Sequence, residues 1–381
     1  MTHGICSPVS PGFQGSDTNA ILACLGQVAT RRLLGFSLYG ATSMTRTRRV
    51  FLSDLTKSLL AVGAMPKPFV GSTVSPSQTG TGLITDPRYL EHELPDRAGE
   101  AHPERPLRLI RIAQAFAERG LDSDLTKLQL HSDAMPFIRS HHTPEHVDAV
   151  REIEVTGEIA ELAVSGALGA IDAVANGQVR NAFCALRPPG HHANNTGQEE
   201  GFCFYSNAAV AARYAQLRHG FEKILIVDWD YHHGNATQNA FYDDPSVLFF
   251  SAHDWQAYPG TGDPSLRGDG EGSGLNLNVH LDCGSKDIDM LRHWDNVLLP
   301  AVSNFQPDFV IVSAGFDSRM DDLLGCFDLT DDVFRRMTRT TMDIANDYCG
   351  GRLVSLLEGG YNVDGTAIAA AAHVETLLDG L

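Results

Sequence analysis

Beyond residue 80 the chain alternates short, almost wholly apolar runs with longer stretches of helical period. The apolar runs are NAFCAL (181–186), KILIVD (223–228), SVLFFSA (246–252), DFVIVSAG (308–315) and RLVSLLEGG (352–360). They are too short for helices and are bounded by turn residues, so they predict buried strands. PLRLIRIAQAFAERG (106–120) and GEIAELAVSGALGAIDAVANG (157–177) predict helices, closed by Gly and by Asn-Gly. Further helices are predicted over 206–220, 287–305 and 329–350. Strand and helix in repetition give an α/β fold: a mostly parallel sheet with helices on both faces. No repeat or linker interrupts 81–381, which reads as one domain of about 300 residues.

Residues 1–80 follow no such pattern. Arg48 and Arg49 precede Val50, Phe51 and Leu52 and a mild apolar stretch from Leu59 to Met65. This resembles a twin-arginine export signal, which would begin at Met44 and carry the folded protein to the periplasm; without such use the expectation is cytoplasmic. GSTVSPSQTGTG (71–82) reads as a linker. Residues 1–80 are therefore set aside as leader and linker.

Composition narrows the classes. Apolar residues make up 43% and charged residues 20%, as in globular proteins. No window reaches the roughly 18 apolar residues of a membrane span. A net charge of -18 argues against a nucleic-acid binder and suits, weakly, a cationic substrate. Seven cysteines without regular spacing predict buried small hydrophobes, not a disulfide framework.

The candidate chemistry sits where the predicted strands end. NAFCAL runs into RPPGHHA, KILIVD into WDYHHGN, SVLFFSA into HD, DFVIVSAG into FDSRMDD, and RLVSLLEGG into YN. Sites in open parallel sheets form beyond the carboxyl ends of strands. His191, His192, Asp228, Asp230, His232, Asp317 and Tyr361 are thus expected around one crevice. Asp230 and His232 are two apart and share a side in extended backbone. With Asp317 they make a two-Asp, one-His set that suits a catalytic zinc, and also iron or manganese. His191 and His192 follow a stiff Pro-Pro-Gly and can exchange protons near neutral pH. Asp228 and Asn235 are expected to orient the two rings unequally, the Asp partner favouring an imidazolium. Tyr361, after two glycines, can donate to a developing oxyanion. Taken singly, each of these residues has an ordinary structural reading; the conjunction argues for a site.

Seven segments in order, HPERP (102–106), RPPGHHA (187–193), GFCFYSN (201–207), VDWDYHHGN (227–235), YPGTG (258–262), SAGFDS (313–318) and LEGGYN (357–362), resemble the zinc-dependent histone deacetylases and acetylpolyamine amidohydrolases over about residues 82–381. Asn235, where many class I members carry Asp, resembles the class II and bacterial histone deacetylase-like amidohydrolase branch. The resemblance implies the three-layer arginase/deacetylase fold and one zinc held by Asp230, His232 and Asp317. It implies a catalytic pair, His191 and His192, backed by Asp228 and Asn235, with Tyr361 polarising the carbonyl. Phe202 and Tyr258 would flank the substrate channel. A structural potassium would sit on the backbone of Asp228, Asp230, His232, Ser251 and Ala252. Where the family usually has Gly-Asp-Pro, this chain has Asp321, Asp322 and Leu323, and Leu324 is expected near the channel mouth. Glu199 and Glu200 are expected to add acid beside the first catalytic loop.

The expected activity is hydrolysis of an acyl-amide: an acyl-lysine, an acylpolyamine or a small non-protein amide. The amine, the acyl group, the metal used in the cell and a homo-oligomeric state are left open. Two alternatives stand beside it. One is an arginase-like binuclear ureohydrolase, disfavoured by the histidine pair and Tyr361. The other is an acyl-lysine binding module that has lost catalysis.

Overall fold

A computed structural model describes residues 80–96 and 99–380. The leader expected over 1–80, including Met44 and the twin arginines, lies outside the described residues apart from Gly80. Eight strands form one sheet: β1 (Thr81–Ile84), β2 (Leu125–Lys127), β3 (Asn181–Cys184), β4 (Ile224–Asp228), β5 (Val247–His253), β6 (Asn276–His280), β7 (Phe309–Ala314) and β8 (Leu353–Leu357). Their order is β2-β1-β3-β8-β7-β4-β5-β6, and every pairing is parallel. β3, β4, β5, β7 and β8 are buried at every position. Parallel pairing requires crossovers, and their helices cover both faces of such a sheet.

Those helices are α1 (Leu107–Glu118), α2 (Met135–His141), α3 (Pro144–Arg151), α4 (Thr156–Ala175), α5 (Asn207–His219), α6 (Asn235–Phe241), α7 (Asp287–His293), α8 (Leu299–Phe305), α9 (Asp331–Tyr348) and α10 (Val363–Asp379). One group, α2 to α5, packs through α4 on β1, β3 and β8 and through α5 on β7; another runs from α1 to α10 to α9, with α10 on β3 and α9 on β7. None of the described helices is long and apolar enough to cross a membrane.

Each strand expected from the sequence is present. β1, β2 and β6 are additional. The expected linker (71–82) overlaps β1, whose four residues are too short to show a period. Gly82 lies inside it because a Cβ there would come 2.4 Å from Leu128 Cδ1. β6 alternates Asn with apolar residues, and its buried Asn276 and Asn278 donate to Gln238 Oε1. The helix expected over 287–305 is α7 and α8 joined by a π-type stretch, Trp294–Leu298. One cysteine expectation is corrected. Cys184, Cys203 and Cys349 are buried and free, but Cys283 and Cys326 form a disulfide. The two lie 43 residues apart in sequence, and only the fold brings the loop after β6 against the loop after Asp317.

Candidate active site

β3, β8, β7, β4 and β5 are consecutive neighbours in the sheet. Their carboxyl ends therefore open side by side, and the polar residues that follow them converge. One ligand atom from each of Asp230, His232 and Asp317 lies within 4.8 Å of the others. His232 Nδ1 is 3.1 Å from Asp230 Oδ1 and 3.0 Å from Asp317 Oδ2. Backbone amides fix the carboxylates. Gly359 N–H donates to Asp230 Oδ2 at 2.8 Å, and Tyr231 N–H donates to Asp317 Oδ1 at 2.8 Å. Gly359 must be glycine, since a Cβ would lie 2.2 Å from Asp317 Oδ2.

The electrostatics of this trio call for a cation. Asp228, Asp230, Asp317 and Glu358 are all buried without exposure. Burial and the charge of Asp230 push the Asp317 carboxyl up to about 7. Burial opposes charge on His232, yet its hydrogen bonds to Asp230 and Asp317 raise its pKa to about 10. Whatever occupies the space among these groups, proton or metal, must be positive. Two buried carboxylates and one imidazole, held by backbone amides, fit a divalent ion such as zinc.

The histidine pair behaves as two unequal groups. Ring centroids of His191 and His192 are 4.0 Å apart. His191 Nδ1–H donates to Asp228 Oδ2 at 3.0 Å, whereas His192 Nδ1–H donates to Asn235 Oδ1 at 2.7 Å. Both rings are buried, which disfavours charge. For His191 the carboxylates of Asp230 and Asp228 override this and hold the pKa well above the usual value. For His192, burial and the charges of His191 and His232 keep it well below. A dication among Asp230, His232 and Asp317 would take up part of the pull on His191. His192 is in either case the neutral ring, with Nε2 free to accept a proton.

The remaining expected residues frame this centre. Tyr361 is buried 5.7 Å, ring to ring, from Phe202. Tyr258, half-exposed, lies 5.1 Å from His192 and 6.3 Å from His232, ring to ring. Phe202 holds φ 69, unusual for a bulky residue, and its N–H donates to Glu199 Oε1. Ser251 pairs with Asp228 across β4 and β5, and its Oγ bonds to His253 Nδ1; Ala252 follows it in β5. Leu324 is exposed on the loop after Asp317. The acid of the 193–200 segment serves the loop itself: Glu200 accepts from Asn194 N–H and Thr196 Oγ1.

The histone deacetylase domain model matches residues 102–377. The chain belongs to the histone deacetylase family. It is 38% identical to histone deacetylase 15 of Arabidopsis thaliana over 81% of this chain and 58% of that protein. It is 36% identical to a probable deacetylase of Archaeoglobus fulgidus over 75% of this chain and 82% of that one. With the polyamine deacetylase HDAC10 of Homo sapiens it shares 35% identity over 73% of this chain and 45% of that protein. The solved HD domain of HDA15 superposes with a TM-score of 0.74 at 38% identity, covering 79% of this chain and 90% of that one. The three-layer family fold expected from the motifs is thus the fold observed.

Sequence reasoning passed over residues that assemble this family site. Glu358 accepts from Gly190 N–H and His191 N–H, so β8 braces the histidine loop. Glu104, in HPERP, is fully buried and accepts from Arg108 and Arg187. Arg187 opens the histidine loop, and Arg108 donates to the carbonyls of Glu358 and Gly360 beside Tyr361. One carboxylate therefore ties both loops together. His233 Nδ1 bonds to Thr261 Oγ1 and so anchors the loop that carries Tyr258. The signal available for these residues was their place inside the quoted motifs.

Proposed function

We propose that residues 81–381 hydrolyse an acyl-amide to a carboxylate and an amine, with one zinc held by Asp230, His232 and Asp317. The observation that carries this reading is the juxtaposition of that buried, cation-demanding trio with a neutral His192 ring, whose centroid lies 6.0 Å from that of His232. When bound, the metal would supply Lewis-acid polarisation and make water acidic enough to deprotonate near neutral pH. His192 Nε2 takes the proton from attacking water. His191, backed by Asp228, keeps positive charge beside the centre as negative charge develops. The Tyr361 hydroxyl stays protonated, because burial and the charges of Asp317 and Asp230 push its pKa well above the usual value. It can therefore donate to the substrate oxygen as that oxygen becomes an oxyanion. A protonated histidine returns the proton to the leaving amine. Phe202 and Tyr258 would confine a narrow acyl chain. A structural potassium on the backbone of Asp228, Asp230, His232, Ser251 and Ala252 belongs to the same reading.

An acyl-lysine, an acylpolyamine or a small amide would each thread such a channel, and Leu324 gives the expected mouth no carboxylate to greet a polyamine. If the Arg48–Arg49 leader exports the chain, small periplasmic amides are favoured.

The test is turnover of an acetyl-lysine coumarin amide by the zinc-loaded chain, with metal content measured. One zinc per chain, loss of turnover on chelation and recovery on adding zinc are expected. Two metals per chain would favour the binuclear ureohydrolase, and absent turnover the silent binding module.

A further inference from the structure

Tyr361 follows two glycines, and Gly360 sits at φ +118. Such a backbone has wide conformational freedom, so a hydroxyl that must meet a reacting oxygen needs restraint from outside its own segment. Two opposite charges supply it. On the carbonyl side, the Arg108 guanidinium grips the oxygens of Glu358 and Gly360. On the amide side, Asp322 Oδ2 accepts both Tyr361 N–H at 2.7 Å and Asn362 N–H at 2.9 Å. The other oxygen of Asp322 accepts Leu324 N–H at 2.9 Å and Gly325 N–H at 3.3 Å, so the carboxylate is fixed at both ends.

The loop bearing Asp322 is itself anchored. Met320 N–H donates to Leu329 O at 2.8 Å, and Cys326 is tied to Cys283. Gly325 approaches so closely that a Cβ would lie 1.9 Å from Asp317 O. Asp321 holds φ 63 to turn the loop, and its carbonyl accepts from Asn362 Nδ2 at 3.0 Å. The chain thus runs from Asp317 through a braced turn to a carboxylate that accepts from the amides of Tyr361 and its successor on one oxygen and from its own loop on the other.

We infer that Asp322 is a positioning residue for Tyr361: it holds the backbone at Tyr361 and Asn362 so that the phenol meets the developing oxyanion. This rests on the reading of Tyr361 given under Proposed function.

The experiment is a double-mutant cycle on the zinc-loaded chain with Asp322→Ala and Tyr361→Phe, alone and together, following kcat, KM, zinc content and thermal stability. Alone, Asp322→Ala lowers kcat by about 10- to 100-fold, as small displacements of reacting groups do. KM and zinc content stay near the parent's. In the Tyr361→Phe background the same change costs less than about twofold, because the group being positioned is already gone. If Asp322→Ala does not fold, Asp322→Asn replaces it: it keeps one acceptor oxygen, should lose less rate, and should show the same vanishing in the second background. An equal loss in both backgrounds, or a loss of zinc, would overturn the inference while leaving the role of Tyr361 standing. A Tyr361→Phe chain at the parental rate would overturn both.

Discussion

Two buried sets of charge lie behind the same crevice, and they solve burial in opposite ways. Around Glu104, one carboxylate meets the guanidiniums of Arg108 and Arg187, and Arg187 spends its other donors on the carbonyls of Tyr89 and His92. The protein supplies its own counter-charge, and Glu104 is held well below the usual carboxylate range: burial would raise it, but Arg187, the neighbouring His92 and Arg108 overcome that. Around Asp230 and Asp317, carboxylates crowd one another with histidines as the protein's partial counter-charge, and Asp317 is pushed up to about 7. The first set is closed and structural. In the second, two buried carboxylates have only histidines as counter-charge, an arrangement that would accept a bound cation and that fits the proposed site.

The same chemical change should therefore have opposite consequences in the two places. Asp317→Asn removes one of the three proposed metal ligands, and turnover should fall by at least about 10³-fold, since metal polarisation is worth several kcal/mol of barrier. The metal-free variant should nonetheless keep most of the parent's metal-free stability in urea: a like charge beside Asp230 is gone and Tyr231 N–H still finds an amide oxygen, which offsets the lost contact from His232 Nδ1. A marked loss of metal-free stability would erase the contrast. Glu104→Gln turns an amide donor toward the guanidinium donors in place of one acceptor oxygen and leaves two guanidiniums short of charge. It should cost about 3–5 kcal/mol of stability, the usual penalty for breaking a buried ion pair. Zinc sharpens the comparison at smaller scale. At a free concentration a hundredfold above its dissociation constant it should stabilise the parent by about 2.7 kcal/mol. It should do so equally in a folded Glu104→Gln chain and not in Asp317→Asn.

Much of this was legible in the sequence for a reason that the sheet order makes plain. The strands visible as unbroken apolar runs are the central ones, buried on both faces, and these same strands end in the site. β1, β2 and β6 lie to either side of them and were passed over: two are three or four residues long, and the third buries asparagines. α10 escaped notice because its alanine run carries little amphipathic signal. Within the site, residues offering an ionisable side chain at a strand end could be read directly. Glu358, Glu104 and Asp322 could not, because their work is to accept backbone or guanidinium hydrogen bonds from partners remote in sequence. Carboxylates look alike on a page; what distinguishes a ligand from a brace is the donor it faces. The Cys283–Cys326 pairing was invisible for the same reason.

A third buried cluster tests the rule that separates the first two. His142 and His146 stack 4.7 Å apart beside the 193–200 segment. His142 Nδ1–H donates to Asn195 Oδ1 and its Nε2 accepts from Ser206 N–H; His146 Nε2–H donates to Phe204 O and its Nδ1 accepts from Gly197 N–H. Each ring makes both bonds only when neutral. Burial, with the neighbouring bases His141 and His146, lowers His142 to about 3. A base whose folded pKa is depressed leaves stability intact above its unfolded value of about 6.5, and stability is lost as pH falls toward the folded value, because only the unfolded chain then takes up the proton. The contribution of His142 should be about 1.4 kcal/mol per pH unit between about 6.5 and 3. His142→Gln can donate and accept at similar places without titrating. Urea unfolding of the metal-free chain should give similar stabilities at pH 7.5, with the parent falling away from the variant below pH 6.5 by about that slope. Parallel curves would mean that this ring accepts its proton in the folded state, and that burial without a counter-charge does not by itself keep a group neutral in this protein.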